Sequence, residues 1–506
     1  MPKNALKRWT PGQSLVRPAV DSPHALSPAS SLQPRTPMAP KLALLAALAA
    51  PSAVAETILG VTVFSRHGDR TSKHYPGYGL TTLGFQQNYR VGADYQALYL
   101  AGDSPKQILG ISEDVYVPSQ IYASAPDQKV LLNTATAFLQ GLYPPLGGDD
   151  EAAVQTLNNG SDYAAPLDGY QYVVLHGEND DSPDSIWIKG DDMCPAASTA
   201  QQSYAQSDEY AQTLEATRSF YAGFWNSLRD VYDFQPEDLS YANAYEIFDL
   251  INVARIHNAS APAVSDDDMY QLRVLADRWE AGHNMNASMP ARSIGGQTLA
   301  GVVLAQLSET VSSAGRLKFS LLAGSYDTFL AFFSVAGLTS ASGDFAGLPD
   351  YASTMAFELF TADDGAQAFP ADDDDLQVRF LFRNGSDAGA PLRPFPLFGR
   401  ADESMPWGEF AREMRSRAIT DVGAWCDVCS SEADFCSAYA TQDEDGGSSS
   451  GGGGMSNAVA GVVGAMVTLA VVGVAGLVFF LLRRRNRKPA TEVFVSEGKM
   501  DDAASA

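Results

Sequence analysis

Residues 58–70 read ILGVTVFSRHGDR, an apolar, β-branched run (Ile58–Phe64) closed by Arg66-His67-Gly68-Asp69-Arg70. The run predicts a buried strand, and the polar residues at its end predict the working loop. A histidine between two arginines is well placed to hold a phosphoryl group. Guanidinium forks present paired donors to phosphate oxygens. Their positive field lowers the His67 pKa, which leaves a ring nitrogen unprotonated and nucleophilic even in acid. Gly68 allows close backbone approach or an unusual φ. The bland alternative is a surface turn; the strand-end position and the following Arg70-Thr71 favour a phosphate site.

Working outward, Thr81–Leu100 is predicted as a helix, Val115–Ser124 as a second strand, and Lys129–Leu142 as a helix stopped by Tyr143-Pro144-Pro145. Strand followed by helix, twice, predicts an α/β layer with parallel pairing. Tyr170–Leu175 and Ser185–Ile188 read as further strands. Residues 210–232, 242–257 and 267–282 carry apolar residues three or four apart, which predicts an α-helical insert at about 200–290 over one end of the sheet. Leu317–Leu322 is a buried strand followed by a helix from about Thr328 to Ala336, and Ala356–Leu359 and Leu376–Phe382 read as antiparallel strands. The acidic runs Asp266–Asp268 and Asp372–Asp375 lack the loop spacing of a calcium site and read as solvated loops.

Both ends of the chain point to export. Ala458–Leu482 contains no charged residue and is followed by Arg483-Arg484-Arg485-Asn486-Arg487-Lys488. It is long enough to cross a hydrocarbon core of about 30 Å, with the basic cluster on the cytoplasmic side. Near the start, Lys41 and the apolar Leu42–Ala50 run into Ala53-Val54-Ala55, the pattern of a cleaved secretory leader. Pro/Ser-rich residues 1–37 do not belong on such a leader, so either translation starts at Met38 or these residues are a disordered extension. The expected organisation is extension and leader (1–55), ectodomain (56–440), Gly/Ser stalk (441–457), single span (458–482) and cytoplasmic tail (483–506).

Charge and cysteines agree with that address. Residues 56–457 hold 22 Lys/Arg against 55 Asp/Glu, a net of −33. Such a surface repels nucleic acid, and it makes the local Arg66/Arg70 pair more pointed. The four cysteines, Cys194, Cys426, Cys429 and Cys436, favour two disulfides with three possible pairings. Zinc at the Cys-x-x-Cys would need a second pair. Asn159, Asn258, Asn286 and Asn384 each open an Asn-x-Ser glycosylation sequon.

A phosphoenzyme hydrolase also needs an acid for its leaving alcohol. Asp327, in the turn Ser325-Tyr326-Asp327-Thr328 after a buried strand, fits that role if desolvation raises its pKa. It also fits a helix cap, and both can hold at once.

The chain is similar to the histidine acid phosphatases of the histidine phosphatase superfamily, branch 2. Arg66-His67-Gly68-Asp69-Arg70 matches the Arg-His-Gly-x-Arg signature. KFSLLAGSYDTFLAFFSVAGL (318–338) resembles the family's His-Asp segment, and 124–145 resembles its second phosphate-binding segment. Trp425-Cys426-Asp427-Val428-Cys429 with Phe435-Cys436 resembles membrane-attached fungal members. The resemblance implies a phosphoglycerate mutase-like, doubly wound α/β sheet with an α-helical cap. It also implies acid phosphatase activity on small phosphate monoesters through a phosphohistidine on His67, without metal or organic cofactor. Arg66 and Arg70 would hold the phosphoryl oxygens and Asp327 would protonate the leaving oxygen. Two positions depart from the pattern. The family's third arginine falls on Val130, with Lys129 beside it as a substitute point charge, and its phosphate-binding histidine is Tyr326. The rival expectation is therefore a weak or inactive phosphatase-fold surface protein that binds a ligand or partner.

Overall fold

A computed structural model describes residues 56–286, 288–388 and 390–439. The leader, stalk, span and tail expected from the sequence lie outside those residues. Among the described residues no helix is long and apolar enough to cross a membrane.

The main strands are β1 (Thr57–Arg66), β2 (Ile121–Pro126), β3 (His176–Glu178), β4 (Phe319–Gly324), β5 (Thr354–Thr361), β6 (Leu376–Arg383) and β7 (Ser404–Pro406). They form one mixed sheet in the order β7-β6-β5-β1-β4-β2-β3, with a two-residue strand, Arg393–Pro394, paired to β6. β1, β4, β2 and β3 run parallel, whereas β5, β6 and β7 add antiparallel. β1 is buried along nearly its whole length because both faces of the sheet are covered, as its unbroken apolar run requires.

On one face, Val61, Val63, Phe319, Leu321 and Ala323 pack with α1 (Thr82–Tyr99) and α2 (Lys129–Leu142). On the other, Leu59, Phe64, Met355, Phe357 and Phe380 pack with α7 (Ile294–Ser312), α8 (Tyr326–Val335) and α9 (Trp407–Arg415). Between β3 and β4 the chain forms the helical insert: α3 (Pro195–Gln202), α4 (Asp208–Ala222), α5 (Ala244–His257) and α6 (Asp266–Asn284). The insert has its own apolar core, including Tyr221, Tyr241, Ile247 and Leu272.

Several expected elements differ. Val115–Gln120 is loop, and the strand is confined to Ile121–Pro126. Tyr170–Leu175 is not a strand; Tyr172 and Val174 are exposed, so the run lacks the covering layer a strand there would need. Ser185–Ile188 sits in a 3-10 turn that Pro183 starts and Ser182 caps. Asp266–Asp268 is the first turn of α6, where the carboxylates favour the helix N-terminus and Ser265 accepts from the Asp268 N–H. The cysteines pair as Cys194–Cys429 and Cys426–Cys436, and the first bridge spans 235 residues. Trp425 is buried beside both and donates to the Gly190 carbonyl at 2.8 Å.

Candidate active site

Register brings the two sequence segments together. Arg66 is opposite Gly324 in the parallel β1–β4 pair, and the His67 N–H donates to the Gly324 carbonyl at 3.2 Å. The loop Arg66–Arg70 therefore starts beside the turn Ser325-Tyr326-Asp327. α1 holds the loop from the other side: the Gly68 N–H donates to Asn88 Oδ1 at 2.7 Å, and Asn88 Nδ2 donates to the Arg66 carbonyl at 3.1 Å. A Cβ on Gly68 would lie 2.4 Å from the Gly84 carbonyl oxygen, so close approach rather than an unusual φ explains the glycine. Thr81 and His257 both hold Asp69 Oδ2, the latter at 2.6 Å.

His67 is 1% exposed. Its Nδ1 lies 2.9 Å from the Gly68 carbonyl, an acceptor only, so Nδ1 carries the proton and Nε2 carries the lone pair. Burial lowers the ring's pKa well below its usual range, and the Arg66 and Arg70 charges push it the same way. His67 Nε2, Arg66 Nε and Arg70 Nε are all buried without a hydrogen-bond partner among the described residues. Arg66 donates to the Pro349 carbonyl and lies 5.2 Å from the Tyr326 ring centre and 4.8 Å from that of Tyr351. Arg70 is anchored by Asp249 at 3.0 Å and by the Tyr245 hydroxyl at 2.8 Å.

Next to this loop, Lys73, Tyr245, Glu280, Tyr326 and Asp327 line a cavity of about 340 Å³. A second cavity of about 280 Å³ is lined by Arg66 and Tyr351 and shares Tyr245 and Asp249 with the first. His67 lines neither; the Tyr351 ring lies 5.7 Å from it.

Asp327 departs from its expected electrostatics. Burial does push its carboxyl up, but Lys189 and Lys73 outweigh burial and hold it down at about 2. Lys189 Nζ is 3.3 Å away, and the Thr328 N–H donates to Oδ1 at 2.9 Å, so Asp327 also serves the first turn of α8. Two other carboxyls of the cavity lie above their usual range: burial raises Asp191, and it lifts Glu280 to about 7 against the opposing pull of Tyr326 and Lys73. The Tyr326 hydroxyl donates to Glu280 Oε1 at 2.7 Å.

The second phosphate segment is not part of this cluster. Val130 is 3% exposed and packs in the core between α2 and the sheet. Lys129 is exposed at the first turn of α2, near Gly79 and outside both cavities. Lys73, three residues after Arg70, is the cation that faces the cavity. Its Nζ stands 4.7 Å from the Tyr326 ring centre. Its nearness to the signature loop was the one sequence signal for it; Glu280, Tyr245 and Asp249 come from the insert, where helical periodicity alone gave no hint of a site.

The family model of the histidine phosphatase superfamily (branch 2) matches residues 74–383, and the chain belongs to that superfamily. The match opens just after the Arg66–Arg70 loop. Among relatives, the lysosomal acid phosphatase of Xenopus laevis is 26% identical over 412 residues, covering 77% of this chain and 85% of the relative. The human lysosomal acid phosphatase is also 26% identical over 412 residues, with 76% and 84% covered. The prostatic acid phosphatase of Mus musculus is 23% identical over 333 residues, with 63% and 78% covered. In fold, the phytase of Citrobacter braakii matches 74% of this chain and 99% of its own with a TM-score of 0.50 at 12% identity.

Proposed function

We propose that this chain is an acid phosphatase that hydrolyses phosphate monoesters through a phosphohistidine on His67. The observation that carries this reading is the trio of buried atoms on one loop that have no partner among the described residues: His67 Nε2, Arg66 Nε and Arg70 Nε. A nucleophilic lone pair flanked by two cationic donors suits a phosphoryl group and few other ligands. Nε2 attacks phosphorus while Arg66 and Arg70 hold the equatorial oxygens, and water later releases phosphate from the histidine. Lys73 adds the third charge that Val130 does not provide.

The cavity limits the ester. Asp191, Glu246, Asp249, Glu280 and Asp327 line it against Lys73 and His74, which disfavours a polyphosphorylated ring and favours a single phosphoryl group on a neutral or cationic alcohol. The reading places residues 56–440 outside the cytoplasm, tethered by the stalk 441–457 and the span 458–482. Its support is the charge-free apolar run with its basic flank, together with two disulfides, which suit an oxidising compartment.

The test is hydrolysis of a panel of phosphate esters between pH 4 and 8 by the purified full-length chain and its His67→Ala variant. The variant loses activity on every ester; undiminished hydrolysis by it defeats the reading.

A further inference from the structure

We infer that His257, the last residue of α5 in the helical insert, is a positioning residue for the Arg66–Arg70 loop. It holds the buried carboxylate of Asp69 away from Arg66 and Arg70, so that their guanidinium groups stay open to a phosphoryl group. This rests on the phosphatase reading above and deepens it.

Asp69 occupies the position that the Arg-His-Gly-x-Arg signature leaves open, so the sequence pattern assigns it no task. It lies between Gly68 and Arg70 and is 0% exposed. The start of α1 secures its main chain. The Asp69 N–H donates to Gln87 Oε1 at 2.7 Å, and its carbonyl accepts from the Thr81 N–H at 3.1 Å. Gly84 packs so closely on that carbonyl that a Cβ there would lie 2.0 Å from the oxygen. The side chain is held separately. Oδ2 accepts from the Thr81 hydroxyl, which itself accepts from the Gly84 N–H at 3.2 Å, and from His257 Nε2 at 2.6 Å. Among the described residues Asp69 pairs with no lysine or arginine, and its Oδ1 is buried without a partner.

A carboxylate in that place threatens a phosphate site. It is an anion beside Arg70 in the chain, and the buried Nε atoms of Arg66 and Arg70 have no partner among the described residues. A guanidinium fork binds carboxylate and phosphate alike. A buried carboxylate that loses its donor is costly, so without His257 the Asp69 side chain turns to the arginines and occupies the donors a substrate needs. This clamp is separate from the Arg70–Asp249 ion pair, in which α5 engages the arginine itself. The His257 side chain is 35% exposed and lies outside the apolar core of the insert, so truncating it removes the contact without opening the interior.

The experiment measures KM for p-nitrophenyl phosphate and the competitive Ki of inorganic phosphate, at one pH, on the full-length chain and its variants. His257→Ala raises both constants about tenfold or more, the scale of a lost hydrogen bond to a charged group. Asp69→Asn alone leaves both close to wild type. Asp69→Asn added to His257→Ala brings both back towards wild type, because the competing charge is gone; a contact that only supports the fold would not be rescued in this way. An unchanged Ki in His257→Ala, or a double variant no better than His257→Ala, would overturn the inference. Where His257→Ala does not fold, Asp69→Asn decides alone: a Ki near wild type bears the inference out, and a Ki raised as far as that expected of His257→Ala would make the carboxylate part of the site and overturn it. An active His67→Ala variant defeats the phosphatase reading itself, whereas an inactive one beside either contrary result defeats only the role of His257.

Discussion

Arg70 and Asp249 meet at 3.0 Å with side chains 0% and 5% exposed, so a buried ion pair ties the Arg66–Arg70 loop to the helical insert. Asp249 Oδ2 also accepts from the Ser72 hydroxyl at 2.7 Å and the Lys73 N–H at 3.1 Å. One carboxylate on α5 thus fixes three residues of the loop, Arg70, Ser72 and Lys73. Removing it strands a buried guanidinium, which typically costs about 3–5 kcal/mol. Asp249→Ala is expected to lower the melting temperature and to raise KM for an aryl phosphate; an unchanged melt would show that the pair holds nothing.

The position of the third cation separates Lys73 from Lys129. Lys73 faces the cavity, while Lys129 is exposed outside it. Lys73→Met is expected to lower kcat/KM about tenfold to a hundredfold, the scale of a lost charge-assisted contact in a preorganised site. Lys129→Ala is expected to leave it within about twofold. Steady-state kinetics on one aryl phosphate decides between them, and the reverse order would restore the second segment to the site.

His74 gives the contact between loop and insert a pH dependence. Its Nδ1 lies 2.7 Å from Glu246 and its Nε2 2.5 Å from the Tyr232 carbonyl, two acceptors that only the imidazolium satisfies together. Burial opposes the charge, but the Glu246 and Tyr232 bonds raise the pKa above 6.5. A raised folded-state pKa contributes stability that is fully present below the unfolded value and is lost as pH rises through the folded one. The melting-temperature gap between wild type and His74→Ala should therefore be widest near pH 5 and shrink towards pH 8. A gap independent of pH would contradict the imidazolium assignment.

How much of this was legible in the sequence follows from the range of each signal. β1, α2 and the β5–β6 hairpin were readable because their apolar periods act over a few residues. Lys129–Leu142 matches its helix at both ends, where Tyr143-Pro144-Pro145 stops it. Arg66, His67, Arg70, Tyr326 and Asp327 do converge, through the parallel register of β1 and β4. The low pKa of Asp327 was not legible, since Lys189 lies 138 residues away in sequence. Glu280 and Asp249 were hidden for the same reason: both sit on amphipathic helices where a buried carboxyl reads as surface until the packing partner is known.

The Cys194–Cys429 bridge closes a loop across 235 residues and pins the chain before α3 to α10 (Val422–Cys429). Removing a native disulfide typically costs about 2–5 kcal/mol. Cys194→Ser with Cys429→Ser should melt several degrees lower than wild type while keeping the His67 chemistry. An equal melting temperature for the two proteins would show that the bridge adds no stability.

The most direct test of the central claim is to trap the enzyme during turnover of a phosphorus-32-labelled monoester, quench in alkali, where phosphohistidine survives, and map the label by peptide. The label is expected on the peptide that contains His67, and none on the His67→Ala protein. Label on another residue, or steady turnover by His67→Ala, would contradict the account.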